Sequence, residues 1–386
     1  MRLEGVELLR VDLALRRPLG TSAGTHLERP VLYVRVVTDQ GDGWGECGAL
    51  AQGTAVDPAL GSVWRSLAGG GVGRLVGAAA ARGGELPAAS SVAALYDDDP
   101  PGRLSAGAVE MAVLDAELRV AGTSLAARLG VPGCDVAVGA VVGIPTGRDL
   151  GALGDAVDAE VAAGTPRVRL KIEPGWDLGP VRSVRERHPA LVLQADANGS
   201  YRLGTDGEDD AGRLGALDPF GLACVEQPLP AADLAALARL ADLLDTPVCL
   251  DESLTSLRRL QDALRSGACE VACLKPSRLG GLLAARRAQR ACVDAGVPAF
   301  VGGFFESGLG RSANLALAGL GGFTLPSDLS EPGRYLVEDP CGYPEVREGR
   351  LVASAAPGVG PAPAPGALGR LTRERAWFPA STPPSR

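Results

Sequence analysis

The sequence contains only two lysines, Lys171 and Lys275, among 38 basic residues, and all the others are arginine. A guanidinium group keeps its proton in a protein, whereas the amine of a buried lysine can lose its proton. A chain that uses arginine almost everywhere else is expected to keep lysine where a titratable amine is needed. The two lysines are therefore the first candidates for proton transfer.

Three acidic residues lie between the two lysines, and all five groups are spaced at similar intervals along the chain. The order is Lys171, Asp196, Glu226, Asp251 and Lys275, with separations of 25, 30, 25 and 24 residues. Each group ends or directly follows a short apolar run. Such regular spacing indicates one repeating structural unit that delivers one ionisable side chain per repeat.

The elements that must position these groups are short apolar runs separated by amphipathic helical stretches. The runs cover residues 136–142, 168–172, 191–196, 222–226, 248–251, 271–274, 299–302 and 323–325. Eight such units predict an α/β fold, a (β/α)8 barrel of the TIM type, and favour a closed barrel over the alternative of an open doubly wound sheet. Since active sites form where the strands of a barrel end, the five groups are expected to converge on one mouth.

Three carboxylates that converge in one mouth would repel one another unless a cation binds between them. Oxygen ligands select a hard ion, so the sequence predicts magnesium, with manganese as the substitute. Zinc, iron and copper sites generally carry histidine or cysteine ligands, and we expect none near these strands. In the alternative, each acid caps the following helix, which suits one acid better than three on consecutive strands.

A lysine on each side of such a metal suggests proton removal next to a substrate carboxylate. The metal would stabilise the negative charge that develops, and one amine would take the α-proton. The second amine could donate on the opposite face or stabilise the anion. The sequence alone is compatible with both roles.

The first part of the chain predicts a smaller α+β domain. Residues 6–15, 31–37 and 44–47 are strand-like and form an antiparallel meander, and residues 105–129 are helical. We therefore expect an α+β domain over 1–130, the barrel over 135–330, a return to the first domain over 331–360, and a flexible Pro/Ala-rich tail over 361–386.

Composition excludes several classes of function. The formal net charge of −8 argues against nucleic acid as a partner. No apolar stretch is long enough to span a membrane, and the first residues lack the apolar run of a signal peptide. The eight cysteines form no CxxC pair, which suits reduced thiols in a core. We expect a cytoplasmic protein that acts on a small molecule.

Six ordered motifs resemble the muconate-lactonizing subgroup of the enolase superfamily, and within it the o-succinylbenzoate synthase / N-succinylamino acid racemase family. They lie at residues 168–177, 196–198, 226–228, 251–253, 275–281 and 302–311. The resemblance covers roughly residues 1 to 360. It implies an enolase-like fold, in which the N-terminal α+β domain caps the barrel, and a homo-oligomer.

The resemblance also implies roles for individual residues. Lys171 and Lys275 would be the acid/base pair, and Asp196, Glu226 and Asp251 would hold magnesium. Supporting or substrate-binding roles fall on Asn198, Gln227, Glu252, Arg169, Glu306, Ser307, Gly302, Gly303 and Ser22. Residues 19–22 correspond to a loop that closes over the substrate in this family.

The sequence departs from the family pattern at three places. The usual Lys-x-Lys on the second barrel strand is Arg169-x-Lys171, which leaves Lys171 as the proton carrier. Val141 stands where relatives carry a serine, and Phe304-Phe305 replaces a smaller Met-Ile type of pair. These departures bear on the substrate more than on the chemistry.

The leading interpretation is o-succinylbenzoate synthase activity, a dehydration in menaquinone biosynthesis that starts with α-proton removal from a carboxylate. The same five groups would serve an N-acylamino acid racemase, and a dipeptide epimerase is a further alternative. A catalytically inert barrel would be expected to lack at least one of the five groups. A phosphate-binding barrel enzyme is motivated by Gly302-Gly303 after the seventh strand, and three carboxylates in the mouth count against it.

Overall fold

The computed structural model describes residues 1–21, 24–204 and 210–380, and the side chains of residues 19–26 lie outside that description. An antiparallel sheet begins the chain, with the strands β1 (Leu3–Thr21), β2 (Gly24–Thr38) and β3 (Gly41–Cys47). This sheet is the predicted meander. No described helix is long and apolar enough to cross a membrane.

Five helices follow the sheet: α1 (Leu60–Ser66), α2 (Val72–Ala80), α3 (Ala89–Val92), α4 (Pro100–Val120) and α5 (Leu125–Leu129). Helix α4 begins where the Asp99 side chain accepts a hydrogen bond from the Gly102 amide. It packs closely on β3, because a Cβ atom at Gly43 or Gly45 would clash with carbonyl oxygens of α4. The first sheet and α4 therefore form one packed unit.

The second part of the chain is built around seven parallel strands. They are β5 (Gly139–Val142), β6 (Arg167–Lys171), β7 (Val192–Asp196), β8 (Val225–Glu226), β9 (Val248–Leu250), β10 (Val271–Leu274) and β11 (Ala299–Val301), and they pair in that order. The short strand β4 (Asp135–Ala137) precedes them in the chain and belongs to a different sheet. The helices between and after them are α6 (Leu150–Ala162), α7 (Leu178–Arg187), α8 (Ala211–Gly215), α9 (Leu234–Ala241), α10 (Leu257–Arg265), α11 (Pro276–Leu279), α12 (Leu282–Ala295), α13 (Gly308–Ala318) and α14 (Pro365–Leu371). This alternation confirms the predicted fold class.

The eighth predicted strand, at residues 323–325, is wrong as a regular strand. Phe323 forms one bridge with Ala299, and Ser327 forms another with Val138 on the other side. Pro326 between them has no amide hydrogen, so it cannot continue a ladder. The segment still closes the barrel, because Gly139 donates to the Ser327 carbonyl at 2.8 Å and Asp328 donates to the Val301 carbonyl at 2.9 Å.

The C-terminal residues also differ from the prediction. The flexible tail over 361–386 is wrong for residues 365–379, which form α14 and then β13 (Thr372–Pro379). Strand β13 pairs antiparallel with β1 and gives the first sheet the order β13-β1-β2-β3. Upstream, β12 (Arg350–Val352) pairs with β4. The sequence predicted residues 136–142 as one barrel strand, but only β5 at 139–142 belongs to the barrel.

Candidate active site

The five groups selected from the sequence lie at the carboxyl ends of five consecutive barrel strands. Lys171, Asp196 and Glu226 are the last residues of β6, β7 and β8, and they stand beside one another in the sheet register. Asp251 and Lys275 directly follow β9 and β10. The parallel barrel therefore gathers the groups at one mouth.

Each lysine forms an ion pair with an acidic residue of the group. Lys171 Nζ donates to Asp196 Oδ2 at 2.6 Å and to Asn198 Oδ1 at 2.6 Å. Lys275 Nζ donates to Asp251 Oδ2 at 2.7 Å. The Lys171 side chain is 30% exposed and that of Lys275 is 13% exposed, so Lys171 is the more accessible amine.

The environment of Lys275 strongly favours its charged form. Burial works to lower the pKa of Lys275, but the Asp251 carboxylate outweighs burial and holds this pKa above its ordinary value. The ring of Phe304 adds a cation–π contact, with its centroid 4.7 Å from Nζ. Phe304, one of the departures from the family pattern, thus lies directly on an acid/base candidate.

The acidic residues are not equivalent. Oxygen atoms of Glu226 and Asp251 and the sulfur of Cys273 all lie within 4.8 Å of one another, and they form the one such group found among the described residues. Asp196 does not belong to that group. It lies 3.6 Å from Arg169, whose guanidinium also contacts Glu226.

Cys273 corrects the expectation that no thiol lies near these strands. It precedes Lys275 by two residues, and alternate residues of a strand face the same side. The sequence carries this signal three times, as Cys224-x-Glu226, Cys249-x-Asp251 and Cys273-x-Lys275. Reading residue i−2 on each strand would have found the buried thiols below the mouth.

The electrostatics of the carboxylates fit a bound cation. Burial raises the pKa of Glu226 to about 8 although Arg169 opposes this, and Asp196 and Asp251 raise it further. Burial also raises the pKa of Glu252, with added repulsion from Asp251 and Asp196. The Glu252 Oε2 atom is buried and has no hydrogen-bond partner among the described residues. Carboxylate oxygens in this state suit a hard divalent cation.

Asn198 and Gln227 connect neighbouring strand ends. Asn198 accepts from Lys171 and donates to Glu252 Oε1 at 2.9 Å. The Gln227 side chain accepts from the Asp251 and Ser253 amides and donates to Ser253 Oγ. Both residues have positive φ, 44° and 39°, which is a left-handed backbone conformation that the local contacts must maintain.

Glu306 and Ser307 directly precede α13, and their contacts are with residues other than the two lysines. Glu306 Oε1 accepts from the Phe304 amide at 2.8 Å, and Arg311 forms an ion pair with Glu306 at 3.3 Å. The Ser307 amide and hydroxyl both donate to Glu46 of β3. These residues therefore join the first sheet to the barrel loop that carries Phe304.

Four positions that the sequence analysis singled out remain, and they are Gly302, Gly303, Ser22 and Val141. Gly302 borders the lysine, since a Cβ atom there would lie 3.1 Å from Lys275 Cε, and its amide already donates to the Leu274 carbonyl at 3.0 Å. Gly303 borders Glu306 and Arg311. Ser22 lies outside the described residues. Val141 is 41% exposed on β5.

Arg278 and Asp57 were missed by the sequence analysis. Arg278 donates to Asp251 Oδ1 at 2.5 Å, and its other nitrogens donate to Asp57 Oδ1 and Oδ2 at 2.8 and 2.6 Å. Although burial opposes ionisation, Arg278 holds the pKa of Asp57 below its ordinary value. Asp57 belongs to the N-terminal part of the chain, and its long-range pairing had no signal in the local sequence.

The variant Asp57→Asn tests this connection between the two parts of the molecule. Arg278 would lose the carboxylate that now accepts two of its hydrogen bonds, and its charge would attract Asp251 more strongly. We therefore expect kcat/KM to fall about tenfold. Steady-state kinetics at saturating metal would measure this. The matched control is Asp97→Asn, which removes an exposed partner of Arg74. Unchanged kinetics in Asp57→Asn would show that Arg278 holds Asp251 without Asp57.

Comparisons with known proteins find similar sequences and structures over most of the chain. Residues 152–366 match the family model described as enolase C-terminal domain-like. An N-succinylamino acid racemase from Amycolatopsis sp. is 42% identical over 98% of this chain and 100% of its own length. An o-succinylbenzoate synthase from Geobacillus kaustophilus is 36% identical over 93% of each chain. A crystal structure of an enolase-superfamily member from Listeria innocua superimposes with a TM-score of 0.90 at 28% identity, covering 99% of this chain and 100% of the other.

Proposed function

We propose, on the premise that this chain belongs to the enolase superfamily, that it is a metal-dependent enzyme that removes the proton next to a substrate carboxylate. The reaction we propose is that of an o-succinylbenzoate synthase. A synthase of this kind dehydrates 2-succinyl-6-hydroxy-2,4-cyclohexadiene-1-carboxylate and makes its ring aromatic. Relatives with this name match at 33–36% identity.

One observation carries the proposal: two lysines flank a set of carboxylates across the barrel mouth. Lys171 ends β6 and Lys275 follows β10, four strands further along the sheet. In a barrel of eight positions, four strands correspond to half of the circumference. A substrate held between them would present its α-carbon to an amine on either side.

Glu226, Asp251 and Asp196 would hold the metal ion, and we propose magnesium because carboxylate oxygens are its preferred protein ligands. The bound ion would supply positive charge to the substrate carboxylate and stabilise the charge that develops there. Cys273 adds a soft donor beside two of these acids, so a thiophilic ion such as Zn²⁺ is expected to compete for the site.

The residues of this chain would perform the dehydration in two proton steps. Neutral Lys171 takes the α-proton, and the electron pair of that C–H bond enters the carboxylate system as an enediolate. The cationic Lys275 stabilises this anion from the other side. When the C–O bond at carbon 6 breaks, Lys171 returns its proton to the leaving hydroxide, which departs as water, and the new double bond completes the aromatic ring.

Racemisation of N-succinylamino acids is the second candidate, and the 42% identical relative with that name favours it. It needs no leaving group. One lysine would take the α-proton and the other would deliver a proton to the opposite face, so both amines must act as bases in turn. The contacts of Lys275 with Asp251 and Phe304 favour its role as a cation.

Two assays on one enzyme preparation separate these candidates. The first follows aromatisation of the cyclohexadiene substrate by ultraviolet absorbance. The second follows deuterium incorporation from solvent into N-succinyl amino acids of each hand. Both are run with and without Mg²⁺. We expect fast aromatisation that requires the metal and slower exchange at the α-carbon.

The opposite result identifies a racemase. Efficient exchange in both enantiomers with little aromatisation would replace the synthase proposal by the racemase. Activity that persists after complete metal removal would contradict the proposed chemistry for both. Enzyme that is depleted of metal and then supplied with Mg²⁺ serves as the control for damage during chelation.

A further inference from the structure

A closed ring of polar side chains extends from Glu226 at the mouth into the layer of residues below it. Its members come from β6, β7, β8 and the irregular segment that closes the barrel, and they are Arg167, Gln194, Glu226, Arg169 and Asp328. Arg167 donates to Gln194 Oε1 at 2.6 Å and to Asp328 Oδ1 at 2.5 Å. Gln194 donates to Glu226, and Arg169 donates to both Glu226 oxygens at 2.6 Å. The ring closes where Arg169 forms an ion pair with Asp328 Oδ2 at 2.7 Å.

The ring is buried and its shape is fixed from below. Arg167 is fully buried and lies over the Phe300 ring, with 5.0 Å between its guanidinium carbon and the ring centroid. A Cβ atom at Gly139 would clash with this guanidinium, so glycine at that position leaves the space for it. Two buried guanidinium groups face two carboxylates, which balances the charge inside the ring.

Arg169 connects the ring to two acids of the mouth. One nitrogen contacts Glu226 and lies 3.6 Å from Asp196, and the other contacts Asp328. Without Asp328 the full charge of this guanidinium would act on the two acids above it. An unbalanced cation beside two metal ligands competes with a metal ion for the same oxygens.

We propose that Asp328 is a positioning residue for the metal site and acts through Arg169 on Glu226 and Asp196. It balances and orients the guanidinium so that the two carboxylates remain available to a divalent cation. This inference rests on the proposed function, because it assumes that these acids bind metal. It gives the segment that closes the barrel a part in setting metal affinity.

The backbone at Asp328 is held independently of the ring. Its amide donates to the Val301 carbonyl at 2.9 Å, and Arg311 donates to its carbonyl oxygen. The change Asp328→Asn keeps the size of the side chain and these backbone contacts. The variant is therefore expected to fold and to lose only the negative charge.

The test is a direct titration of the full chain with Mn²⁺. The concentration of free Mn²⁺ is measured at each step by electron paramagnetic resonance. We expect the Kd of Asp328→Asn to rise about tenfold, within the range typical for groups that support metal ligands. Asp328→Glu retains the charge and is expected to restore most of the affinity. Asp115→Asn is the matched control, because Asp115 is also buried and paired with an arginine, Arg119, but lies in α4.

The possible outcomes are distinguishable. Equal Mn²⁺ affinity in the wild type and Asp328→Asn would overturn the inference, and so would an equal loss in Asp115→Asn, which would point to general destabilisation. A wild type that binds no Mn²⁺ would instead overturn the proposed function. If Asp328→Asn does not fold, Arg169→Gln provides the second test, since it removes the guanidinium through which Asp328 would act, and unchanged Mn²⁺ affinity there would also contradict the inference.

Discussion

Replacing Lys171 with arginine is expected to lower turnover about 10³-fold while the protein folds and binds metal as before. An arginine can keep the charge at this position and can still donate to Asp196 and Asn198, which now accept from Lys171. It cannot release its proton at working pH. Loss of general base catalysis typically costs a factor of 10² to 10⁴ in rate.

The measurement is kcat for aromatisation together with solvent deuterium exchange in each enantiomer of an N-succinyl amino acid. If Lys275 also acts as a base, Lys171→Arg loses exchange in one enantiomer and keeps it in the other. Arg187→Lys is the control, because it exchanges arginine and lysine at an exposed ion pair, that of Arg187 with Asp158. Turnover close to that of the wild type in Lys171→Arg would remove this amine from the mechanism.

The convergence of the five groups could be predicted because barrel topology turns sequence period into position. Lys171, Asp196 and Glu226 each end a strand, and parallel strands bring such residues into neighbouring register positions. The local apolar runs identified the strands without any knowledge of their partners. The type and order of the elements, and the place of the candidate site, followed from that local pattern.

The parts that could not be predicted depend on partners far away in the chain. Strand β13 pairs with β1 more than 350 residues earlier, for example Ala376 with Leu8, and an edge strand of this kind has a weak pattern of its own. Asp328 meets Arg167 and Arg169 across 161 and 159 residues. Charged residues inside a barrel are costly unless they are paired, so their positions follow from the assembled structure.

Asp196 shows the same limit within the predicted site. Its spacing made it equivalent to Glu226 and Asp251, yet Lys171 and Arg169 are its close cations. Spacing along the chain predicts which strand end a residue occupies. It does not predict which of several cations in the mouth will lie nearest, because that depends on side chains from several strands at once.

Replacing Glu226 with glutamine is expected to lower turnover about 10³-fold and Mn²⁺ affinity at least tenfold. Glu226 is fully buried and lies within 4.8 Å of Asp251 and Cys273. A glutamine has the same shape and its oxygen can still accept from Arg169 or Gln194. The change therefore removes one negative charge from the centre of the proposed metal site with little change in packing.

The readout combines Mn²⁺ titration with kcat at saturating Mg²⁺. The control is Gln289→Glu, which makes the opposite substitution at a buried glutamine of α12, outside the mouth. It measures the general effect of changing the charge of a buried side chain of this size. If excess Mg²⁺ restores full turnover in Glu226→Gln, this carboxylate serves affinity alone. Unchanged affinity and turnover would exclude Glu226 as a ligand and leave Asp251 with Cys273 as the centre of the site. A loss of turnover that no Mg²⁺ concentration repairs is the result expected if Glu226 also places the ion against the substrate carboxylate.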